Sequence, residues 1–377
     1  MTIENHQTGP IPRNSFQPKP SDLSFKLTAS KLFPFQSWSH LPTLTYAWNN
    51  VVYSTFSVVG AVSSLILTAG IFLPLGFVKS IADTFAGFVT KSSSATGQKR
   101  VYVISGATSG IGAGVAQEYA GDGVVLVLIG RDQGRLDEVS KAAQEKGAKM
   151  ETHTMELREA DTDSKVIELM NSIHERHGRV DIVFTIAGAL AHLPDTMQDE
   201  PWGQGTAERM TQVNVNAAVA FIFLPGRSCK RKNMISIIAS SAAFFAPANF
   251  CIYGATKSYL LTLGLCLRSL GKTHNIKVNV ICPGFIKIND IDLPSLHQSG
   301  MTGSMKNAGS SLPWFAFQTP EVMAYRIRYA LETDEGCTPW PLNQCLPLIA
   351  AQSVNPIMDE VGRWAGAQSY ITSELMS

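Results

Sequence analysis

Residues 101–120 read VYVISGATSGIGAGVAQEYA. The first five are an apolar run, as in a strand covered on both faces. The last ten carry small and apolar residues at helical spacing. Between them, SGATSGIG places Gly106, Gly110 and Gly112. A strand that turns into a helix through glycines lets a phosphate group approach backbone N–H groups at the helix start. Gly106 allows the tight turn, while Gly110 and Gly112 allow close approach and close packing of helix on strand. Three glycines alone are a weak signal. After a strand and before a helix they point to a dinucleotide site.

The same rhythm continues outward. Val101–Ser105, Val124–Ile129, Lys149–Met155, Val180–Ala187, Asn233–Ser240 and Lys277–Cys282 read as strands. Asp132–Glu145, Thr162–Arg176 and Ala207–Phe223 read as helices between them. Strands alternating with helices imply parallel strands joined by right-handed crossovers, an α/β class with a doubly wound parallel sheet. The second strand ends LVLIGRDQGRL. A cofactor with a free ribose 2′-OH is usually met at that corner by an acidic residue. Here Gly130 and Arg131 occupy it, and Arg131 is suited to a 2′-phosphate. NADP(H) is therefore favoured over NAD(H). Asp132 is expected to cap the next helix.

Downstream, IYGATK places Tyr253 four residues before Lys257, and MISIIASSAAFF places Ser240 and Ser241 ahead of both. Any helix brings i and i+4 side chains together, so the pair alone proves little. With SGATSGIG, the serine run and IYGATK together, residues 98–290 resemble the short-chain dehydrogenase/reductase family. The resemblance implies an extended Rossmann domain that moves hydride to or from a nicotinamide.

The family's YxxxK falls on Tyr253 and Lys257. A free phenol has a pKa of about 10. A lysine ammonium one turn away is expected to lower it, which suits Tyr253 to general acid–base work. The family's serine falls on Ser240, thirteen residues before the tyrosine, with Ser241 as the alternative. Its hydroxyl is expected to polarise the substrate carbonyl. The family's helical asparagine falls on Asn214 in QVNVNAAVAF, with Asn216 as the alternative. The resemblance further implies cofactor contacts from Gly106, Ser109, Gly110, Ile111, Gly112, Arg131, Glu156, Leu157, Ala187, Gly188, Tyr253 and Lys257. It adds Pro283, Gly284 and Ile286 in VNVICPGFI, with the Ile286 backbone N–H on the carboxamide.

Two departures stand out. The family's NNAG is TIAG here (Thr185–Gly188), which is expected to touch strand support rather than chemistry. Ile288 replaces a threonine that touches cofactor phosphate. Neither change removes a hydride-transfer residue. The competing reading is a non-catalytic Rossmann scaffold that binds nucleotide and a partner.

Net charge is +1 over 377 residues, so no nucleic-acid partner is expected. Charged residues are only 16%, which suggests a membrane segment. Residues 1–45 read as a polar tail and 46–90 as a membrane-anchoring segment. In the latter, VVYSTFSVVGAVSSLILTAGIFLPLGFV (Val51–Val78) is long and apolar enough for one span. Lys79, Lys91, Lys99 and Arg100 follow it, placing the C-terminal part in the cytosol. The endoplasmic reticulum is the expected membrane. The Rossmann domain is assigned to 98–330, and 331–377 is an apolar extension. That extension suits a membrane-surface contact, or a last sheet edge and homodimer face. The loop Ile288–Gln318 carries Leu293, Leu296, Met301, Trp314 and Phe315, which suggests a lid over an apolar small molecule. Candidates are a 3-keto sphingoid base, a 3-oxoacyl chain, a steroid or a retinoid, with membrane lipid as its source. Six cysteines show no CxxC and no zinc spacing, so no metal is expected. Cys251, Cys266 and Cys282 read as buried free thiols.

Overall fold

The computed structural model describes residues 99–108, 110–190, 204–223, 233–246, 250–286 and 317–353, with scattered positions between 48 and 78. The chain divides by contact into Met1–Val58 and Val59–Ser377, and the fold below lies in the second unit. Its strands are β1 (Arg100–Ser105), β2 (Val124–Gly130), β3 (Lys149–Thr154), β4 (Ile182–Thr185), β5 (Asn233–Ile238), β6 (Ile276–Pro283) and β7 (Cys337–Trp340). Its helices are α1 (Gly110–Tyr119), α2 (Gln133–Gln144), α3 (Thr162–His177), α4 (Gln204–Thr211), α5 (Ala217–Phe223), α6 (Cys251–Thr273), α7 (Pro320–Glu332) and α8 (Leu342–Ser353). A π-helical turn, Gln212–Asn216, joins α4 to α5.

The seven strands form one sheet in the order β3-β2-β1-β4-β5-β6-β7, and every pairing is parallel. From β1 the chain winds outward through β2 and β3, then crosses back to β4. That reversal opens a crevice at the carboxyl ends of β1 and β4, where such sheets bind ligands.

All seven residues of β2 are buried. Side chains alternate across the sheet. Tyr102 and Ile104 pack with Val115 of α1, Leu136 of α2 and Met323 and Ile327 of α7. Val101 and Val103 pack on the other face with Val166 and Ile173 of α3 and Phe221 of α5. Further along, Ile235, Ile237, Val278 and Val280 meet Leu260 and Leu261 of α6. Helices thus cover both faces, which is why central strands such as β1 and β2 read as apolar runs, while the edge strand β3 (KMETHT) does not.

Several expectations shift at their edges. β4 is shorter than Val180–Ala187, because its flanking groups bond sideways. The Asp181 carboxylate accepts from the Val101 N–H at 2.8 Å. The Ser105 hydroxyl accepts from the N–H groups of Ile186 and Ala187 at 3.2 and 3.4 Å. β7 continues the sheet beyond residue 330, so Cys337–Trp340 forms the sheet edge. Of the three thiols read as buried, only Cys282 is; Cys251 and Cys266 are exposed on α6. A helix lying on a sheet buries one face only, and the apolar run around Cys266 spans more than that face.

Among the described residues no helix is long and apolar enough to cross a membrane. The expected span Val51–Val78 lies mostly outside the described residues. The positions of it that are described include exposed Val51, Phe56, Val59, Val62 and Ile66 in helical conformation.

Candidate active site

The glycine turn leaves β1 at Ser105 and enters α1 at Gly110. Gly106 has φ +76° and Gly110 has φ +52°, a region that side chains with a Cβ rarely adopt. A Cβ on Gly106 would lie 2.6 Å from the Ala187 nitrogen, so its absence brings the turn against the segment after β4. A Cβ on Gly112 would lie 2.0 Å from the Gly106 carbonyl oxygen, which seats the first turn of α1 on the loop. A Cβ on Gly110 would meet nothing within 4 Å. Open space at a helix N-terminus with positive φ fits a dinucleotide pyrophosphate. Ile111 follows in the first turn of α1, half-buried. Ser109 lies outside the described residues.

Arg131 is exposed just past the carboxyl end of β2, on the same sheet edge as this turn. Asp132 caps α2 as expected, accepting from the Arg135 N–H at 3.0 Å. After β3, Glu156 accepts from the Arg158 N–H at 3.1 Å. Leu157 points into the core beside α3.

Ser240, Tyr253 and Lys257 converge at the carboxyl end of β5. Ser240 accepts from the Ala242 N–H at 3.2 Å, capping a single 3-10 turn that begins at Ser241. Its hydroxyl hydrogen-bonds Tyr253 and favours the phenolate. Burial outweighs that bond, so the Tyr253 phenol is raised above its ordinary value. The expectation that Lys257 lowers it is not met in this state. Burial pushes the Lys257 ammonium down to about 8, with Cys282 opposing that shift. Its Nζ donates to the Ile238 carbonyl at 3.0 Å and stands 5.7 Å from the centre of the Tyr253 ring. The lysine is one turn from the tyrosine but directed at the end of β5.

Asn214 lies in the π-helical turn and is fully buried. The Ala217 N–H reaches back to the Gln212 carbonyl, widening the helix there. Asn214 Oδ1 accepts from the Ala189 N–H at 2.6 Å. Its Nδ2 donates to the Ala189 carbonyl and to Thr256 Oγ1, both at 3.0 Å. Thr256 in turn donates to the Tyr253 carbonyl at 2.8 Å. Asn216, the alternative, is exposed and donates to Gln212. Gly188 sits between the groups: a Cβ there would lie 3.4 Å from Lys257 Nζ and 3.5 Å from Asn214 Oδ1.

The TIAG departure has a local answer. Buried Thr185 donates to the Ser236 carbonyl at 3.4 Å, a side-chain tie from β4 to β5. Pro283 ends β6 opposite Trp340 of β7, and the Gly284 N–H donates to the Trp340 carbonyl at 2.9 Å. Ile286 pairs with Gln318 in an isolated bridge. Ile288 lies outside the described residues, as does most of the apolar loop that follows. Sequence reasoning missed Thr256, although it stands beside Lys257, and Gln344, which nothing in the sequence marks.

The short-chain dehydrogenase family model matches residues 100–295, just over half of the chain. An uncharacterised oxidoreductase of Staphylococcus saprophyticus is 34% identical over 195 residues, 50% of this chain and 79% of its own length. The very-long-chain 3-oxoacyl-CoA reductase of Homo sapiens is 27% identical over 212 residues, 55% of this chain and 66% of its own length. Among solved structures, L-sorbose reductase from Gluconobacter frateurii, complexed with NADPH and L-sorbose, superposes with a TM-score of 0.57 at 21% identity. The match covers 66% of this chain and 97% of that one. NAD+-bound xylitol dehydrogenase superposes with a TM-score of 0.54 at 20% identity, over 64% of this chain and 98% of its own. At those identities the solved structures show the fold alone.

Proposed function

The chain belongs to the short-chain dehydrogenase family, oxidoreductases of CH–OH and C=O groups, and we propose that it is an NADP(H)-dependent reductase or dehydrogenase of a lipid-like carbonyl or alcohol. The observation that carries this reading is the convergence of Ser240, Tyr253, Lys257 and Asn214 beside the open turn at Gly110. When bound, the nicotinamide supplies the hydride or accepts it. Ser240 directs its hydroxyl to the substrate oxygen and polarises it. Tyr253, held protonated by burial, gives that oxygen its proton. Lys257 carries its own proton at neutral pH and steadies the phenolate left behind. Asn214 holds the segment after β4 against the catalytic helix. In the other direction the same groups take the proton from an alcohol.

Arg131 supports NADP(H) over NAD(H), since an exposed guanidinium at the end of β2 meets a 2′-phosphate where a carboxylate would meet a 2′-OH. Glu156 and Leu157 are assigned to the adenine end, and Ala187, Gly188, Pro283, Gly284 and Ile286 to the nicotinamide end. A 3-oxoacyl thioester heads the substrate classes, supported by the 3-oxoacyl-CoA reductase relatives and the apolar composition of the loop after Ile288. The anchoring span Val51–Val78 remains part of the proposal, with the catalytic domain in the cytosol. Its support is the uncharged apolar run and the exposure of Val51, Phe56 and Val62. A homodimer through the apolar extension 331–377 also remains part of the proposal, with the sheet edge at Cys337–Trp340 as its support.

The test is NADPH oxidation by the purified chain against 3-oxoacyl-CoA thioesters of graded length and a panel of other lipid ketones. Turnover is expected to fall by about 10²–10⁴ in Tyr253→Phe, with NADPH binding kept. NADPH binding with no Tyr253-dependent turnover on any ketone would instead favour a non-catalytic scaffold.

A further inference from the structure

The turn assigned to the nicotinamide end rests on a side chain from the last described helix. Gln344 of α8 is 3% exposed. Its Oε1 accepts from the Phe285 N–H at 2.7 Å. That oxygen fills the space a side chain at Gly284 would take, since a Cβ there would lie 2.2 Å from it. The Gln344 N–H donates to the Pro341 carbonyl at 3.1 Å, which fixes the first turn of α8 and with it the carboxamide. From the other side, the Gln318 N–H donates to the Phe285 carbonyl at 3.0 Å. The Phe285 ring lies 5.6 Å from that of Phe317.

Both backbone groups of Phe285 are therefore committed, one to Gln344 and one to Gln318. The peptide that follows presents the N–H of Ile286, which bonds no other described residue. A buried carboxamide is costly unless it is bonded. A core position that served packing alone would be better filled by an apolar residue of the same size. The glycine of the turn is also accounted for: its missing Cβ admits Gln344.

We propose that Gln344 is a positioning residue for the nicotinamide end of the dinucleotide site, fixing the Pro283–Ile286 turn so that the Ile286 N–H is aimed at the carboxamide of the cofactor. This rests on the dinucleotide reading above. Gln344 does not touch cofactor. It acts through the Phe285 N–H, and it makes the C-terminal segment after β7 part of the cofactor site.

Gln344→Met keeps volume and removes the acceptor. In the full-length chain it is expected to weaken NADPH binding about tenfold. Binding of adenosine 2′,5′-bisphosphate, which reaches only the adenine end, should stay within about twofold. A general loss of structure would weaken both ligands alike. Gly284→Ala, whose Cβ collides with Oε1 from the opposite side, should give the same selective loss. Equal weakening of both ligands in both variants, or unchanged NADPH affinity, would overturn the proposal. If the wild-type chain binds neither ligand, the dinucleotide reading itself fails and takes the inference with it.

Discussion

Asn214 Nδ2 donates to Thr256 Oγ1 at 3.0 Å, which ties the π-helical turn to α6 at the residue just before Lys257. Thr256 spends its own proton on the Tyr253 carbonyl, so its oxygen faces Asn214 purely as an acceptor. That fixes the orientation of the amide, with Oδ1 on the Ala189 N–H. Thr256→Val keeps shape and leaves a buried amide donor unpaired, at a cost of about 1–3 kcal/mol. Part of this should appear in turnover. We expect kcat to fall about tenfold with KM for NADPH unchanged, and Thr256→Ser to restore it. Steady-state kinetics of the three chains check this, and a Ser variant as slow as Val would count against it.

The pH dependence follows from Lys257. Burial brings its ammonium to about 8, and Cys282 opposes only part of that shift. The lysine is thus charged below about pH 8 and neutral above it. Tyr253 is raised and stays protonated through the same range. For ketone reduction, kcat/KM is expected to hold on the acid side of 8 and to decline as pH rises through it, by loss of the charge that stabilises the phenolate. Rates measured from pH 6 to 10 test this. A profile flat to pH 9.5 would mean that the charge on Lys257 is not needed.

The sheet was legible because both of its faces are covered, which leaves runs such as VVLVLIG with no polar residue to disguise them. The nearness of Ser240, Tyr253 and Lys257 was legible because β5 ends at Ile238 and α6 begins at Cys251, so little chain separates the serine from the tyrosine. The π-helical turn was not, since an i→i+5 bond leaves no compositional mark, and Ala207–Phe223 read as one helix. β7 was obscured by Pro339, which an edge strand tolerates because its unpaired side needs no N–H. Gln344 was invisible for a different reason. Its partner, Phe285, is 59 residues away along the chain, and only the folded sheet brings them together.

The proposed preference for NADP(H) rests on Arg131. Its side chain is exposed, and among the described residues it has no ion-pair partner, so replacing it should leave the fold intact. A guanidinium on a phosphate contributes about 1.5–3 kcal/mol, or roughly 10–100-fold. Arg131→Ala should raise KM for NADPH by that factor and leave KM for NADH nearly unchanged. Arg131→Asp should go further and favour NADH. Paired kinetics with both cofactors decide the matter. Equal changes for the two would remove Arg131 from the 2′-phosphate site.

The far edge of the sheet carries an acid-sensitive contact. Burial alone would raise the Glu151 carboxyl. Hydrogen bonds from His177 (2.9 Å), His153 (2.8 Å) and Arg176 outweigh it and bring it to about 2. Those from Arg176 and His177 join β3 to the last turn of α3, where the Arg176 guanidinium also complements the negative end of the helix dipole. A carboxylate depressed on folding adds stability above its unfolded value of 4.5, and loses it as pH falls toward about 2. Glu151→Gln should therefore destabilise the chain by about 1 kcal/mol at pH 7, discounted for partial exposure. The gap between variant and wild type should close steadily between pH 4.5 and 2. Urea midpoints measured at pH 7, 4 and 2.5 read this directly. A gap that stayed constant across them would mean that Glu151 acts through packing, because packing does not titrate.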